Sequence, residues 1–179
     1  MRYTAFLRAI NVGGHVVKMD RLRKVFEAAG FSGVETVINS GNVVFESPKK
    51  SGDALARTLE TRLEKALGYP VATFVRSMPE LAAIAAHEPF GRVSLDPPAC
   101  LFIGFLRSAT GRDAARQVAA LSNDVDTLVA DGREIYWLAR NAFSGSTISY
   151  KVVEKLLRSD ATFRNANTVK RIAAKYCVS

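Results

Sequence analysis

The chain has 179 residues, of which 48% are hydrophobic and 23% are charged. This length suits one large domain or two small ones, and the composition of an ordinary globular protein excludes extended disorder. No apolar run reaches the roughly 18 residues that a membrane-spanning helix needs, and charged residues interrupt the opening segment too early for a signal peptide. We therefore expect a cytoplasmic protein that makes no membrane contact.

Positive charge is concentrated at the two ends of the chain. The formal net charge is +8; residues 1–50 carry eight Lys and Arg against four Asp and Glu, and residues 151–179 carry seven against two. If both ends meet in the fold, they form one basic surface that favours an anionic ligand or nucleic acid. The alternative is a generally basic protein without such a ligand.

Cysteine and histidine usage argues against a disulfide framework and against a metal centre. Two cysteines, Cys100 and Cys177, are too few for a disulfide scaffold in a chain of this size, so we predict two reduced thiols. With only two histidines, no zinc-ligand spacing can be written. Asp124 and Asp126, next to a turn, are interpreted as surface carboxylates. We predict no metal and no cofactor.

The first half of the chain predicts the order β-α-β-β-α-β, followed by a short helix. Hydrophobic periodicity and turn residues place strands at 3–8, 34–39, 42–46 and 71–76, and helices at 20–29, 53–67 and 78–87. This order is the ferredoxin-like, split βαβ arrangement, in which helices cover one face of an antiparallel sheet. Residues 1–87 are therefore predicted to form one α+β subdomain.

The second half predicts a related subdomain beyond a linker. Residues 88–98 contain three prolines and a glycine and form the predicted linker. The pattern of residues 99–179 predicts β-α-β-β-α-α, with strands at 99–106, 125–130 and 134–139 and helices at 111–121, 149–158 and 168–176. The predicted fold class is α+β, with two subdomains that each hold an antiparallel sheet and helices.

A glycine-containing loop between the first strand and the first helix is the first candidate site. Arg8 precedes Asn11, Gly13 and Gly14, and Lys18 stands just before the helix. Glycines let backbone N–H groups approach a ligand, and a helix N-terminus favours negative charge. The segment has neither the Gly-Lys-Ser/Thr ending of a Walker loop nor a Gly-x-Gly-x-x-Gly pattern. A connection that needs glycine only for its shape is the alternative.

Two further polar segments extend the candidate site. The turn at Ser40 and Gly41 predicts a hairpin, and Ser40 and Asn42 could donate hydrogen bonds to a ligand. Near the C-terminus, Arg164 and Asn165 precede the last predicted helix, where a guanidinium suits capture of a carboxylate or phosphate. An internal salt bridge of Arg164 is the alternative. Ser40 has no evident base, so no catalytic serine is predicted.

Three segments carry a family resemblance. They are residues 7–14 (LRAINVGG) with Lys18 and Met19, residues 40–45 (SGNVVF), and residues 162–169 (TFRNANTV). In this order they resemble the uncharacterised bacterial family known as domain of unknown function 1697. The resemblance implies a fold of two α+β subdomains. It implies no activity, because that family has no established one.

The leading hypothesis is a protein that binds a small anionic or nucleotide-like ligand at a basic site joining the N-terminal glycine loop and the Arg164–Asn165 segment. The first alternative is a nucleic-acid-binding module with an exposed aromatic on a sheet face, for which Tyr136 or Trp137 is the candidate. The second is a non-catalytic interaction or assembly protein. The sequence names no nucleophile, base and orienting group at an active-site spacing, so an enzymatic role and the oligomeric state stay open.

Overall fold

The computed structural model describes residues 1–11, 13–38, 41–49 and 51–177. It contains two four-stranded antiparallel sheets with accompanying helices, which confirms the predicted α+β class. One compact unit consists of Met1–Ala82 with the C-terminal residues from Lys175, and the other consists of Ala83–Ala174. In these described ranges, no helix has both the length and the apolar character required to cross a membrane. The linker at 88–98 stays a prediction.

The first unit has the predicted order of elements. They are β1 (Arg2–Leu7), α1 (Met19–Ala28), β2 (Ser32–Val37), β3 (Asn42–Glu46), α2 (Gly52–Leu67), β4 (Thr73–Ser77) and the start of α3 (Met78–Ala86). The strand order in the sheet is β2-β3-β1-β4, and every neighbouring pair is antiparallel. Strands β1 and β2 are therefore parallel with β3 inserted between them, which is the split βαβ arrangement.

Helix α2 shows why the sequence pattern was informative here. Its apolar residues Leu55, Leu59 and Leu63 lie four apart and are fully buried against the sheet. The Ser51 side chain accepts a hydrogen bond from the Ala54 N–H and caps the first turn. Gly68 ends the helix with a φ of 83°, a left-handed conformation that favours glycine.

The second unit repeats the same arrangement. Its elements are the remainder of α3, β5 (Cys100–Leu106), α4 (Arg112–Ala119), β6 (Asp126–Asp131), β7 (Glu134–Ala139), a 3-10 turn (Phe143–Gly145), α5 (Tyr150–Leu157), β8 (Ala161–Asn165) and α6 (Ala166–Tyr176). The strand order is β6-β7-β5-β8, again with antiparallel neighbours. In both units the last strand runs directly into a helix.

Strand β8 is the main difference from the prediction, which gave this half only three strands and is wrong at that point. The strand pairs with β5, so that Arg164 lies opposite Ile103. It is short and polar, and α6 follows at Ala166 rather than at residue 168. Because its stabilising partner β5 is far away in sequence, the local pattern resembled a polar loop.

Among the strand residues that the structure describes, the aromatic rings considered for the nucleic-acid alternative are buried. Tyr136 and Trp137 are 3% and 0% exposed, so the predicted stacking platform on β7 is wrong. In the first unit, Phe6, Phe45 and Phe74 are likewise buried. Stacking of bases on these strand residues is therefore not available in the folded chain.

Candidate functional site

The connection of residues 8–18 begins where β1 ends and leads into α1. The Leu7 N–H donates to the Gly41 carbonyl at 2.8 Å, and the Arg8 N–H donates to the Ala72 carbonyl at 2.9 Å. The start of the loop is therefore held between the β2–β3 hairpin and the segment that enters β4. Arg8 itself is half-buried.

Left-handed backbone conformations recur along this connection. The φ angles are 58° at Ala9, 60° at Asn11, 64° at Gly13 and 88° at Gly14. Such angles are uncommon outside glycine, and Ala9 has no side-chain hydrogen bonding to offset the cost. The Asn11 Oδ1 accepts a hydrogen bond of 2.6 Å from the Val17 N–H and closes the loop.

The loop is anchored at both ends and exposed in its middle. Ile10 and Val17 are buried in the core of the first unit. Between them, residues 13–16 are exposed, and Val16 reaches 82% exposure. Lys18 is exposed and stands at the N-cap of α1, where no side chain caps the helix. The middle of the loop and Lys18 at the start of the helix are therefore both accessible to solvent.

A pair of rings that sequence analysis did not identify lies beside the loop. The His15 and Tyr69 rings are 4.0 Å apart between centroids. The Tyr69 hydroxyl is buried and has no hydrogen-bond partner in the described part of the chain. A buried polar group without a partner costs free energy and calls for an explanation. The only sequence signal for Tyr69 is its position just after the Gly68 that ends α2.

The predicted hairpin residues have mainly structural roles. Gly41 has a φ of 73°, and a Cβ added there would lie 3.2 Å from the Cβ of Ile10. Asn42 is buried, and its Nδ2 donates to the Val37 carbonyl at 3.1 Å across the hairpin. Ser40 lies outside the described residues. The ligand roles of Ser40 and Asn42 stay predictions.

The second predicted segment, Arg164 and Asn165, belongs to the other unit and ends β8. The Arg164 Nη1 donates to the Thr162 Oγ1 at 2.8 Å and to the Phe163 carbonyl at 2.9 Å. Burial lowers the pKa of Arg164 to about 10. The Asn165 Oδ1 accepts from the Asn167 N–H at 2.9 Å at the start of α6. A ligand role for this segment stays a prediction.

Asp126 is not the surface carboxylate that its sequence position suggested. It is completely buried, and its two oxygens accept hydrogen bonds of 2.8 Å from the Trp137 Nε1 and from the Ser146 Oγ. Asp124, two residues earlier, is exposed. Across the described ranges, no three His, Cys, Asp or Glu side chains come together in a way that could hold a metal ion.

Both cysteines are free thiols, as predicted. Burial raises the pKa of Cys100 and of Cys177 above the ordinary thiol value. A raised pKa leaves less of the reactive thiolate at neutral pH. Neither thiol therefore has the character of an activated nucleophile.

Comparison with known proteins places the chain among uncharacterised relatives. The family model described as protein of unknown function (DUF1697) matches residues 1–136. A solved structure, described as that of the conserved bacterial protein SP0830 from Streptococcus pneumoniae, is similar with a TM-score of 0.73 and 26% identity. The similarity covers 99% of this chain and 98% of that one. No curated protein matches the chain.

Proposed function

Since the chain belongs to the DUF1697 family of proteins of unknown function, we propose from its own residues that the first unit binds a small anionic or nucleotide-like ligand. The binding element is the connection of residues 8–18. Arg8 and Lys18 supply positive charge, and Asn11, Gly13 and Gly14 shape the backbone between them.

The observation that carries this proposal is the contrast between equivalent connections in the two units. In the second unit, the strand-to-helix connection is completed by residues 107–111 alone. There Thr110 N–H donates to the Gly132 carbonyl at 2.8 Å, which seals the connection against the neighbouring hairpin. The fold therefore does not require the longer loop of residues 8–18. Loops that exceed what the scaffold needs are where binding residues concentrate.

The backbone of the long loop suits an anion. Left-handed residues in a turn can direct successive N–H groups toward one side and form concave anion sites. Left-handed angles occur at Ala9, Asn11, Gly13 and Gly14. The adjacent start of α1 lacks a side-chain cap, so its N–H groups add to the favourable potential. Strain of this kind is commonly retained at functional sites.

The neighbouring tyrosine adds a second polar contact. The Tyr69 hydroxyl has no partner in the described part of the chain, and the exposed His15 packs on its ring. A ligand at the loop that reached this hydroxyl would give it a partner. We also propose a cytoplasmic location, because free thiols persist in a reducing compartment.

A ligand screen by thermal unfolding tests the proposal. The probes are pyrophosphate, adenosine monophosphate and glucose 6-phosphate, added to the wild-type chain and to the Lys18→Gln and Asn11→Ala variants. A ligand present at 100 times its Kd stabilises the folded state by about 2.7 kcal/mol. We expect stabilisation by at least one probe, and weaker stabilisation in both variants.

The matched control is Lys151→Gln, which removes the same charge from an exposed residue of α5 in the second unit. It should respond like the wild type. The proposal is wrong if no probe stabilises the wild type, or if Lys18→Gln and Lys151→Gln respond equally. Arg164→Lys, measured in the same series, tests the separate prediction for that residue.

A further inference from the structure

A basic groove lies between α1 and α2 on the helical side of the first unit. It has a volume of about 390 Å³ and is lined by four cationic side chains, Arg21, Lys24, Arg62 and Lys65. Its floor is apolar and shallow, formed by Val25, Ala28 and Ala66. No acidic residue lines it among the residues that the structure describes.

The cations of this groove are not neutralised by the chain itself. Arg21 donates to the Ala66 carbonyl at 2.5 Å, which joins the two helices. In the described ranges, Lys24, Arg62 and Lys65 take part in no hydrogen bond or ion pair, and all three are exposed. Like charges that cluster without counterions repel one another, and a bound polyanion would offset that repulsion.

Helix α1 separates its charges between two sides. Arg23, outside the groove, lies 3.7 Å from an Asp20 oxygen and 3.8 Å from a Glu27 oxygen. The acidic residues of α1, Asp20 and Glu27, therefore lie beside Arg23. Arg21 and Lys24 of the same helix line the groove. The groove is positive because opposite charges are kept away from it, and the overall charge of the chain does not explain this separation.

We infer that the α1–α2 groove is a nucleic-acid surface that contacts the phosphate backbone without reading base identity. Its residues differ from those of the loop at 8–18, so this inference does not depend on the proposed ligand site. Arginine and lysine side chains on a shallow floor match the repeated negative charge of a nucleic-acid backbone.

The lining also argues against two other kinds of partner, an acidic protein surface and an anionic membrane. Protein interfaces depend on a few buried anchors, most often Trp, Tyr or Arg, that fill well-packed pockets. This shallow groove has no aromatic residue among its described lining, and its two arginines stand around Val25 and two alanines. A membrane surface would call for bulky apolar side chains that enter the lipid, and the groove has none in the described residues. Binding here rests on charge alone, which favours a polyanion.

The test measures fluorescence anisotropy of two labelled 20-base-pair DNA duplexes of unrelated sequence, with the full chain, from 50 to 200 mM salt. With four phosphate contacts, the logarithm of the affinity should fall with the logarithm of the salt concentration at a slope of about −3.6, or ~150-fold over this range. Both duplexes should bind equally, because no base is read.

The variant Lys24→Gln/Arg62→Gln/Lys65→Gln should lower the magnitude of that slope by about 2.7, roughly 0.9 for each lost phosphate contact. The matched control Arg57→Gln/Arg112→Gln/Lys151→Gln removes the same charge from exposed residues outside the groove. It should leave the slope within about 0.5 of the wild-type value.

Three results would overturn the inference. The wild type could fail to bind either duplex at 50 mM salt. The control could weaken binding as much as the groove variant, which would assign binding to net charge alone. Polyglutamate could displace the duplex at equal charge concentration, which would make the groove a surface for acidic protein segments. Circular dichroism confirms that each variant is folded before these outcomes are compared.

Discussion

The two units follow one order of elements, yet each has its long connection at a different point. In the first unit the long connection is residues 8–18, between β1 and α1, and the β3–α2 connection of residues 47–51 is short. In the second unit the β5–α4 connection of residues 107–111 is short, and the β7–α5 connection of residues 140–149 is long. The extra chain thus lies at non-equivalent positions in the two units.

The long connection of the second unit is used for packing. The ring centroid of Phe143 lies 5.0 Å from that of Phe102 and 5.4 Å from that of Trp137. Ser146, a few residues later, donates to the buried Asp126 carboxylate. Exposure does not separate the two connections, because Phe143 is itself 37% exposed and residues 13–16 of the first unit are exposed as well. They differ in that Phe143 and Ser146 contact buried residues of their own unit. The comparison shows that loop length does not indicate function by itself.

The largest loss of stability should come from substitution of Asp126, because its carboxylate links the long connection of the second unit to the core of that unit. Asp126→Ala leaves the Trp137 N–H and the Ser146 hydroxyl without their acceptor in a buried place. We expect a loss of about 3 kcal/mol in the free energy of unfolding, measured by urea denaturation. Asp124→Ala, at an exposed position, should change it by less than about 0.5 kcal/mol. Equal effects of both substitutions would contradict this account.

A smaller loss is expected from Gly104→Ala in β5. A Cβ at this position would lie 2.5 Å from a ring carbon of Phe163 on the paired strand β8, so the ring would have to move. We expect a destabilisation of about 2 kcal/mol, seen as a lower Tm. Gly111→Ala is the control, since no atom lies within 4 Å of its added Cβ. A Tm for Gly104→Ala as high as that of the control would show that β8 is not packed as described.

Relief of backbone strain should raise the stability of the chain, whereas the two substitutions above should lower it. Both long connections contain an alanine with a left-handed φ, 58° at Ala9 and 59° at Ala142. Replacing either by glycine should stabilise the chain by about 0.5–1 kcal/mol, because relief of strain exceeds the added entropy of the unfolded chain. Equilibrium denaturation measures this difference. The usual destabilisation on introducing glycine would show that neither residue is strained.

The smallest predicted effect concerns the C-terminal residues of the first unit. Tyr176 Oη donates to a Glu35 oxygen at 2.6 Å, and this bond, followed by that from Lys175, lowers the pKa of Glu35. Because the pKa is lower in the folded chain, the contribution is complete above the ordinary glutamate pKa. It is lost as the pH falls through the lowered value.

Tyr176→Phe should therefore cost no more than about 1 kcal/mol at neutral pH. The difference in stability between wild type and variant should shrink as the solution is acidified through the lowered Glu35 pKa. Urea denaturation at a series of pH values measures it. If the stability difference between wild type and Tyr176→Phe stayed constant to the lowest pH measured, the hydrogen bond to Glu35 would not be the cause of that difference.

Local patterns were sufficient for most of the fold. The leucines of α2 at intervals of four and the Asp131–Gly132 turn between β6 and β7 specify their elements without help from distant residues. Strand β8 could not be predicted in this way, because its pairing with β5 joins segments far apart in sequence. Its polar residues resembled a loop as long as that partner was unknown.

The candidate site was predictable only in part, for the same reason. The glycines of residues 8–18 indicated the loop directly, but the contact of Tyr69 with His15 depends on how α2 packs beside it. Likewise, Lys24 and Arg62 belong to different helices, and only the packing of α1 against α2 brings them to one groove. Asp126 was misinterpreted because nothing in its neighbourhood signals burial.

The central claim is that the exposed middle of residues 8–18 serves a ligand and not the fold. The most direct measurement combines urea denaturation and calorimetric titration with pyrophosphate and adenosine monophosphate, on the wild type and on a chain lacking residues 13–16. We predict binding to the wild type, no binding to the shortened chain, and a stability change of at most about 1 kcal/mol, since shortening a loop changes its closure entropy little. Loss of several kcal/mol on deletion, unchanged binding by the shortened chain, or no binding by the wild type would contradict the claim.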